Sequence, residues 1–278
     1  MNTLIIDKAT AYSLRQLVQA YYDIQERRES IDSKLGIKKD GTFKKKAPLA
    51  NRELLKELEK QRNGFEIEDR KGNITRIEGI VETEDRLYNA IKKEIAKHPM
   101  WNHFFLDIKG CGPAISAIIL TEFDIHKATT VSKMWAFAGM ATGTILGKKA
   151  VKGKPGKFII TDTLIPRDKP TKGFLLPYNK FLKTALLGKL GPSFLKAKSP
   201  YSEYYYNMKD RLISQDWGNP SKNPTDPKKP KAQHQHRYAN RYMVKMFIKD
   251  LYVAWRTFEG LEVRVPYQEE YLGKKHSA

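Results

Sequence analysis

The sequence predicts a mainly α fold: a helical arm, then a helix-hairpin-helix domain carrying a small β-hairpin insertion. Three observations predict it. Apolar residues recur at three- and four-residue steps through much of the chain, the spacing that lines one face of a helix. An apolar run breaks at Gly110-Cys111-Gly112-Pro113 and resumes at once, as two helices joined by a tight turn would read. Strand-like patterning is confined to two short stretches beside glycine-containing turns.

In chain order, residues 9–34 form the first expected helix, with Leu14, Leu17, Val18, Tyr21, Ile24 and Ile31 on one side. The run from Lys38 to Lys46 is polar and basic and reads as a loop. A second helix is expected from Asn51 to Arg62. Residues 64–80 alternate around Lys71-Gly72-Asn73, as a hairpin or extended excursion does. A third helix runs from Val81 to Lys97, with Leu87, Ile91 and Ile95 on one face, and Pro99 ends it. The two longer helices suit an antiparallel pair. Such an arm, residues 1–100, packs on itself or on a twin subunit, and a homo-oligomer formed through it is the expected assembly.

The compact centre, 101–139, belongs to an expected domain of residues 101–215. Its insertion, residues 140–173, holds Lys148, Lys149, Lys152, Lys154, Lys157, Arg167, Lys169 and Lys172 against Asp162 and Asp168. Lys157-Phe158-Ile159-Ile160-Thr161 has strand character, so a basic β-hairpin or a long loop is expected there. Helices near Tyr178–Lys189 and Tyr201–Gln215 follow. Pro220, Pro224, Pro227 and Pro230 mark a linker over 216–233, and a last helix, His234–Glu259, opens a C-terminal segment 234–278. No internal repeat is present.

The formal net charge is +20, from 51 Lys and Arg against 31 Asp and Glu in 278 residues. Such an excess contributes nothing to a core, and a polyanion is its natural partner, nucleic acid before an anionic surface or an acidic protein. Hydrophobic residues at 40% and aromatics at 11% argue against wholesale disorder. No apolar stretch approaches the ~20 residues of a membrane span, and Met1 to Asp7 shows no basic run followed by a long apolar core, so no signal peptide is expected. The single cysteine excludes an internal disulfide, and a cytoplasmic protein without membrane contact is expected.

The glycine turn carries the most specific chemistry. Glycines permit positive φ and a close backbone approach, and Pro113 suits the first turn of a helix. The free N–H groups and dipole of that helix would then face a phosphate oxygen, with Lys109 beside it. Lys109, Gly110 and Gly112 are therefore the candidate phosphate clamp, and Lys148, Lys149, Lys152, Lys154 and Lys157 extend its path. This mode of grip takes the nucleic-acid backbone without reading base sequence. DNA is the expected partner, with structured RNA as the alternative. No strand precedes the glycines and no third glycine follows, so a dinucleotide fold fits poorly.

Several segments together carry a resemblance: Ile108-Lys109-Gly110-Cys111-Gly112-Pro113, Leu120-Thr121-Glu122-Phe123-Asp124, and Ser132-Lys133-Met134-Trp135-Ala136-Phe137-Ala138-Gly139-Met140. Asn179-Lys180-Phe181-Leu182-Lys183, the Pro200-Tyr201 to Tyr206 run, and Arg241-Tyr242-Met243-Val244-Lys245 extend it over roughly residues 80–267. This stretch resembles the C-terminal domain of the insertion-sequence 110/116/902 transposase family. Those RNA-guided recombinases pair a RuvC-like acidic domain with a helix-hairpin-helix domain bearing a serine nucleophile. The resemblance implies DNA recombination or transposition. Two departures accompany it. Leu4-Ile5-Ile6-Asp7 is followed by a helix instead of an acidic domain, which makes Asp7 an ordinary residue. No serine lies between Ser132 and Ser193, where Thr142 and Thr144 are the nearest hydroxyls. A DNA-binding remnant or accessory protein follows from both, and a catalytic subunit using a threonine with a separate acidic chain is the alternative.

The remaining candidates carry less. His234-x-His236 faces two directions on a helix and lacks companions for a metal site, so no metal or cofactor is expected. Glu122-x-Asp124 suits a helix end better than Mg²⁺. Cys111 reads as a small filler in the turn, although a helix N-terminus can depress a thiol pKa. Tyr204-Tyr205-Tyr206 reads as part core and part surface, with base stacking as the alternative.

Overall fold

The computed structural model describes residues 8–38, 42, 51–218 and 229–264. Asp7, most of the basic run 38–46 and residues 219–228 of the Pro-rich segment lie outside them. The chain is mainly helical with two small antiparallel β-hairpins, and it divides into two compact units near residue 98. No helix among the described residues is long and apolar enough to cross a membrane.

The first unit is the arm. It contains α1 (Lys8–Leu35), α2 (Arg52–Asn63), a hairpin of β1 (Phe65–Glu68) and β2 (Ile74–Ile77), and α3 (Ile80–Ile95). Asn51 caps α2 by accepting the N–H groups of Glu53 and Leu54 at 3.0 and 3.2 Å. Helices α1 and α3 run antiparallel: Tyr21 meets Tyr88, and further along Arg28 meets Glu84. Leu14, Val18, Ile31 and Leu35 of α1 are buried, with Leu58 of α2 closing the Ile31–Leu35 end. Asp32 sits between two guanidiniums, 2.7 Å from Arg28 and 2.6 Å from Arg62, and thereby ties α1 to α2.

The second unit holds α4 (Pro113–Glu122), α5 (Val131–Phe137), β3 (Thr144–Ala150), β4 (Phe158–Pro166), α6 (Lys180–Thr184), α7 (Gly191–Ala197), α8 (Ser202–Ser214) and α9 (Lys229–Phe258). A five-residue π-helical turn, Trp101–Phe105, precedes α4, and a second, Ala185–Leu190, joins α6 to α7. Residues 180–197 are thus one continuous helical stretch with a wide middle. The sequence shows just over half of it, to Lys189, but Gly188, Gly191 and Pro192 read as an end and conceal α7.

Helix α9 is the strut of this unit. Ala239, Met243, Val244, Phe247, Ile248 and Leu251 are wholly buried. They pack against α5, α7, α8 and the second π turn. The helix begins at Lys229, five residues before the expected start, with Pro230 in its first turn, where a missing N–H is harmless. Within the described residues the expected separation of 101–215 from the C-terminal helix is absent from the packing, because α9 shares their core. Phe105, Phe194 and Tyr201 converge on Phe247 at 5.4–6.4 Å between ring centres.

Candidate nucleic-acid interface

The glycine turn occupies residues 106–112. It is longer than a two-glycine corner because the preceding helix widens and stops at Phe105, whose ring is anchored in the core. The Ile108 N–H donates to Phe105 at 3.1 Å and the Cys111 N–H to Ile108 at 3.0 Å, so the turn is internally bonded. Only Gly110 uses a left-handed conformation, at φ +89°. Gly112 sits at φ −74°, which any residue adopts, so one glycine and not two meets the steric demand.

Gly110 also makes a close approach, and within the described residues that approach is to the chain itself. The Ser193 hydroxyl donates to the Gly110 carbonyl at 2.7 Å. A Cβ at Gly110 would lie 2.9 Å from the Ser193 carbonyl oxygen and 3.1 Å from the Phe194 ring. The turn is thus locked onto α7. Its other side presents exposed Lys109 and Gly112, and the first turn of α4 has no side-chain cap.

Cys111 is buried, within 3.4 Å of the Ser116 hydroxyl, and burial pushes its thiol up to about 12. It is a filler and not a reactive thiolate. Asn179 donates to Glu122, while Asp124 accepts the N–H groups of His126 and Lys127 and pairs with the Lys127 amine at 3.0 Å. These two carboxylates shape the end of α4 separately. His236 meets the Tyr205 hydroxyl at 2.7 Å, whereas His234 lies against the Trp217 ring, so the two imidazoles have different neighbours. Tyr205 is buried and Tyr206 exposed.

The insertion is an antiparallel ribbon. Its register runs from Thr144 opposite Pro166 to Ala150 opposite Phe158, with an irregularity between Leu146 and Lys148. Period-two alternation in Phe158-Ile159-Ile160 is weak because neither distal face packs on a core. The base is anchored: Ile165 is buried, Gly147 lies beneath the Phe174 ring, and the Leu175 N–H donates to Lys148 at 2.7 Å. Beyond it the ribbon is open to solvent. Lys148, Lys149, Lys152, Lys154 and Lys157 are all exposed, and none has a carboxylate partner among the described residues. Lys148 lies over the Phe158 ring at 4.4 Å and Lys149 over Phe174 at 4.9 Å. Ile159, Ile160 and Leu164 are each more than half exposed.

Thr142 is exposed on the loop leading into β3, and Thr144 is exposed as the first residue of that strand. Sequence reasoning missed a further group of cations, Lys183 on α6 with Arg241 and Lys245 on α9, because Lys183 lies more than fifty residues before the other two. Among the described residues no three His, Cys, Asp or Glu side chains gather as a metal site would require. Compared with family models, curated proteins and solved structures, the chain shows no match.

Proposed function

We propose that this chain binds nucleic acid, DNA first, through backbone phosphates, using the β3–β4 ribbon and the first turn of α4. One observation carries this reading. Five exposed lysines lie on one hairpin with no carboxylate partner among the described residues, interleaved with exposed apolar and aromatic side chains. A solubilising surface mixes signs and keeps apolar groups covered; a basic two-stranded ribbon is a form that enters nucleic-acid grooves. Lys109, Gly110 and Gly112 supply a second contact in helix-hairpin-helix manner, with Gly112 and Lys109 facing the phosphate and Gly110 holding the turn's shape. The resemblance to the insertion-sequence 110/116/902 transposases suggests a role in DNA recombination or transposition.

Titration of a labelled duplex with the full chain over a series of salt concentrations tests the reading. Affinity should fall steeply with salt. The triple variant Lys148→Glu/Lys149→Glu/Lys152→Glu should weaken binding to every sequence and reduce the log–log salt slope by about 3, near 0.9 per lost phosphate contact. Affinity unchanged between low and high salt would refute it. Preference for a structured RNA in competition would move the assignment from DNA to RNA.

A further inference from the structure

We propose that Lys183, Arg241 and Lys245 form a half-buried site for one phosphodiester group, set at the base of the basic ribbon. The proposal rests on the nucleic-acid reading above and adds a discrete phosphate seat to it.

The seat is assembled by three elements that meet only in the folded unit. Lys183 projects from α6, Arg241 and Lys245 from successive turns of α9, and Asp168 from the segment two residues beyond β4. Arg241 pairs with the Asp168 carboxylate at 3.0 Å. The Lys183 amine donates to the Asp168 main-chain carbonyl, a neutral acceptor, at 2.5 Å. Lys245 rests over the Trp135 ring at 4.2 Å and Lys183 over the Tyr178 ring at 4.3 Å. Arg241 and Lys183 therefore share the one Asp168 carboxylate, which the guanidinium engages, while Lys245 has Arg241, and Lys183 has both Arg241 and Lys169, as cationic neighbours.

Such an excess is unfavourable in a half-buried place. Aromatic faces stabilise an ammonium modestly, and buried like charges repel. Burial first, and then the neighbouring Arg241, push both lysine amines below their ordinary range. A structural ion cluster would have its charges matched; here, among the described residues, Lys245 has no carboxylate partner and Lys183 has only the Asp168 that Arg241 already engages. An anion with several acceptor oxygens supplies what is missing, and phosphate matches both the ammonium and the guanidinium donors.

The surroundings keep the seat open and well shaped. Gly139 has φ +68°, and a Cβ there would lie 2.8 Å from both Lys183 Cδ and the Tyr178 ring, so the bare backbone admits these two side chains. Asp168 follows directly from β4, which places the seat at the root of the ribbon whose lysines track a polyanion. Ribbon and seat thus hold successive parts of one backbone.

Amine footprinting of the full wild-type chain tests the proposal without any substitution. Lysines are modified with a small amine-reactive reagent, alone or with a duplex, and read by mass spectrometry. Saturable protection of Lys183 and Lys245 by the duplex is expected. Salt-dependent anisotropy of Lys183→Gln/Lys245→Gln should show a slope lowered by about 1, one phosphate contact, and Lys183→Arg/Lys245→Arg should restore it. Duplex binding with both amines unprotected and the slope unchanged would overturn the seat while leaving the nucleic-acid reading intact. Should no duplex or RNA bind, that reading falls, and inorganic phosphate becomes the probe. Saturable protection of the two amines by phosphate alone would then uphold the seat as one for a free phosphate, and its absence would overturn it. If the glutamine pair unfolds, the wild-type footprint still decides.

Discussion

Replacing Gly110 by alanine separates the shape of the turn from its contact with a ligand. The added methyl faces two penalties. A left-handed backbone at φ +89° costs an L-residue about 1–2 kcal/mol. The Cβ would also meet the Ser193 carbonyl oxygen at 2.9 Å and the Phe194 ring at 3.1 Å. Relieving that overlap moves α7 off the turn, and shifts of this kind cost about 1–3 kcal/mol. The 2.7 Å bond from the Ser193 hydroxyl to the Gly110 carbonyl is then lengthened. A destabilisation of about 2–5 kcal/mol results, equivalent to a fall in Tm of roughly 5–20 °C for a unit of this size. Urea denaturation followed by far-ultraviolet circular dichroism measures it. The companion variant Gly112→Ala, at φ −74°, should leave stability within about 0.5 kcal/mol. Equal effects of the two substitutions would refute the assignment of the steric demand to Gly110 alone. A Gly110→Ala effect below about 0.5 kcal/mol would do the same.

Two further outcomes concern the arm and its end. Asp32→Asn should destabilise the protein by roughly 1–3 kcal/mol, because it leaves Arg28 and Arg62 facing a neutral amide in a half-buried place; an unchanged thermal midpoint would show that solvent already screens the network. Burial holds His98 near 4, below its ordinary 6.5, so between those values the unfolded chain binds the proton and the folded chain does not. Stability should thus fall as pH drops from about 6.5 to 4, by up to about 3 kcal/mol. His98→Gln should remove that part of the pH dependence in urea titrations, and an identical pH profile for the variant would exclude His98 as its source.

The sequence by itself determined the elements whose pattern is local. The apolar steps of α1 and α3 appear as helices within a residue or two, because side-chain direction repeats with the backbone. Lys71-Gly72-Asn73 locates the first hairpin, and for the lysine-rich insertion the strand pattern at 157–161 leaves a basic β-hairpin and a long loop as the two expectations, of which the structure has the hairpin. The turn at Gly110 is legible too, although not which glycine needs its freedom: that depends on Ser193 and Phe194, eighty residues away. Tertiary packing decided the rest. It widened the helix that stops at Phe105 and carried 180–197 through Gly188 and Gly191, where Asn240 of α9 lies against Gly191. It made α9 a core strut instead of a tail. It also brought Lys183, Arg241, Lys245 and Asp168 into one place. No spacing rule relates residues on separate elements, and their meeting follows from which faces bury together.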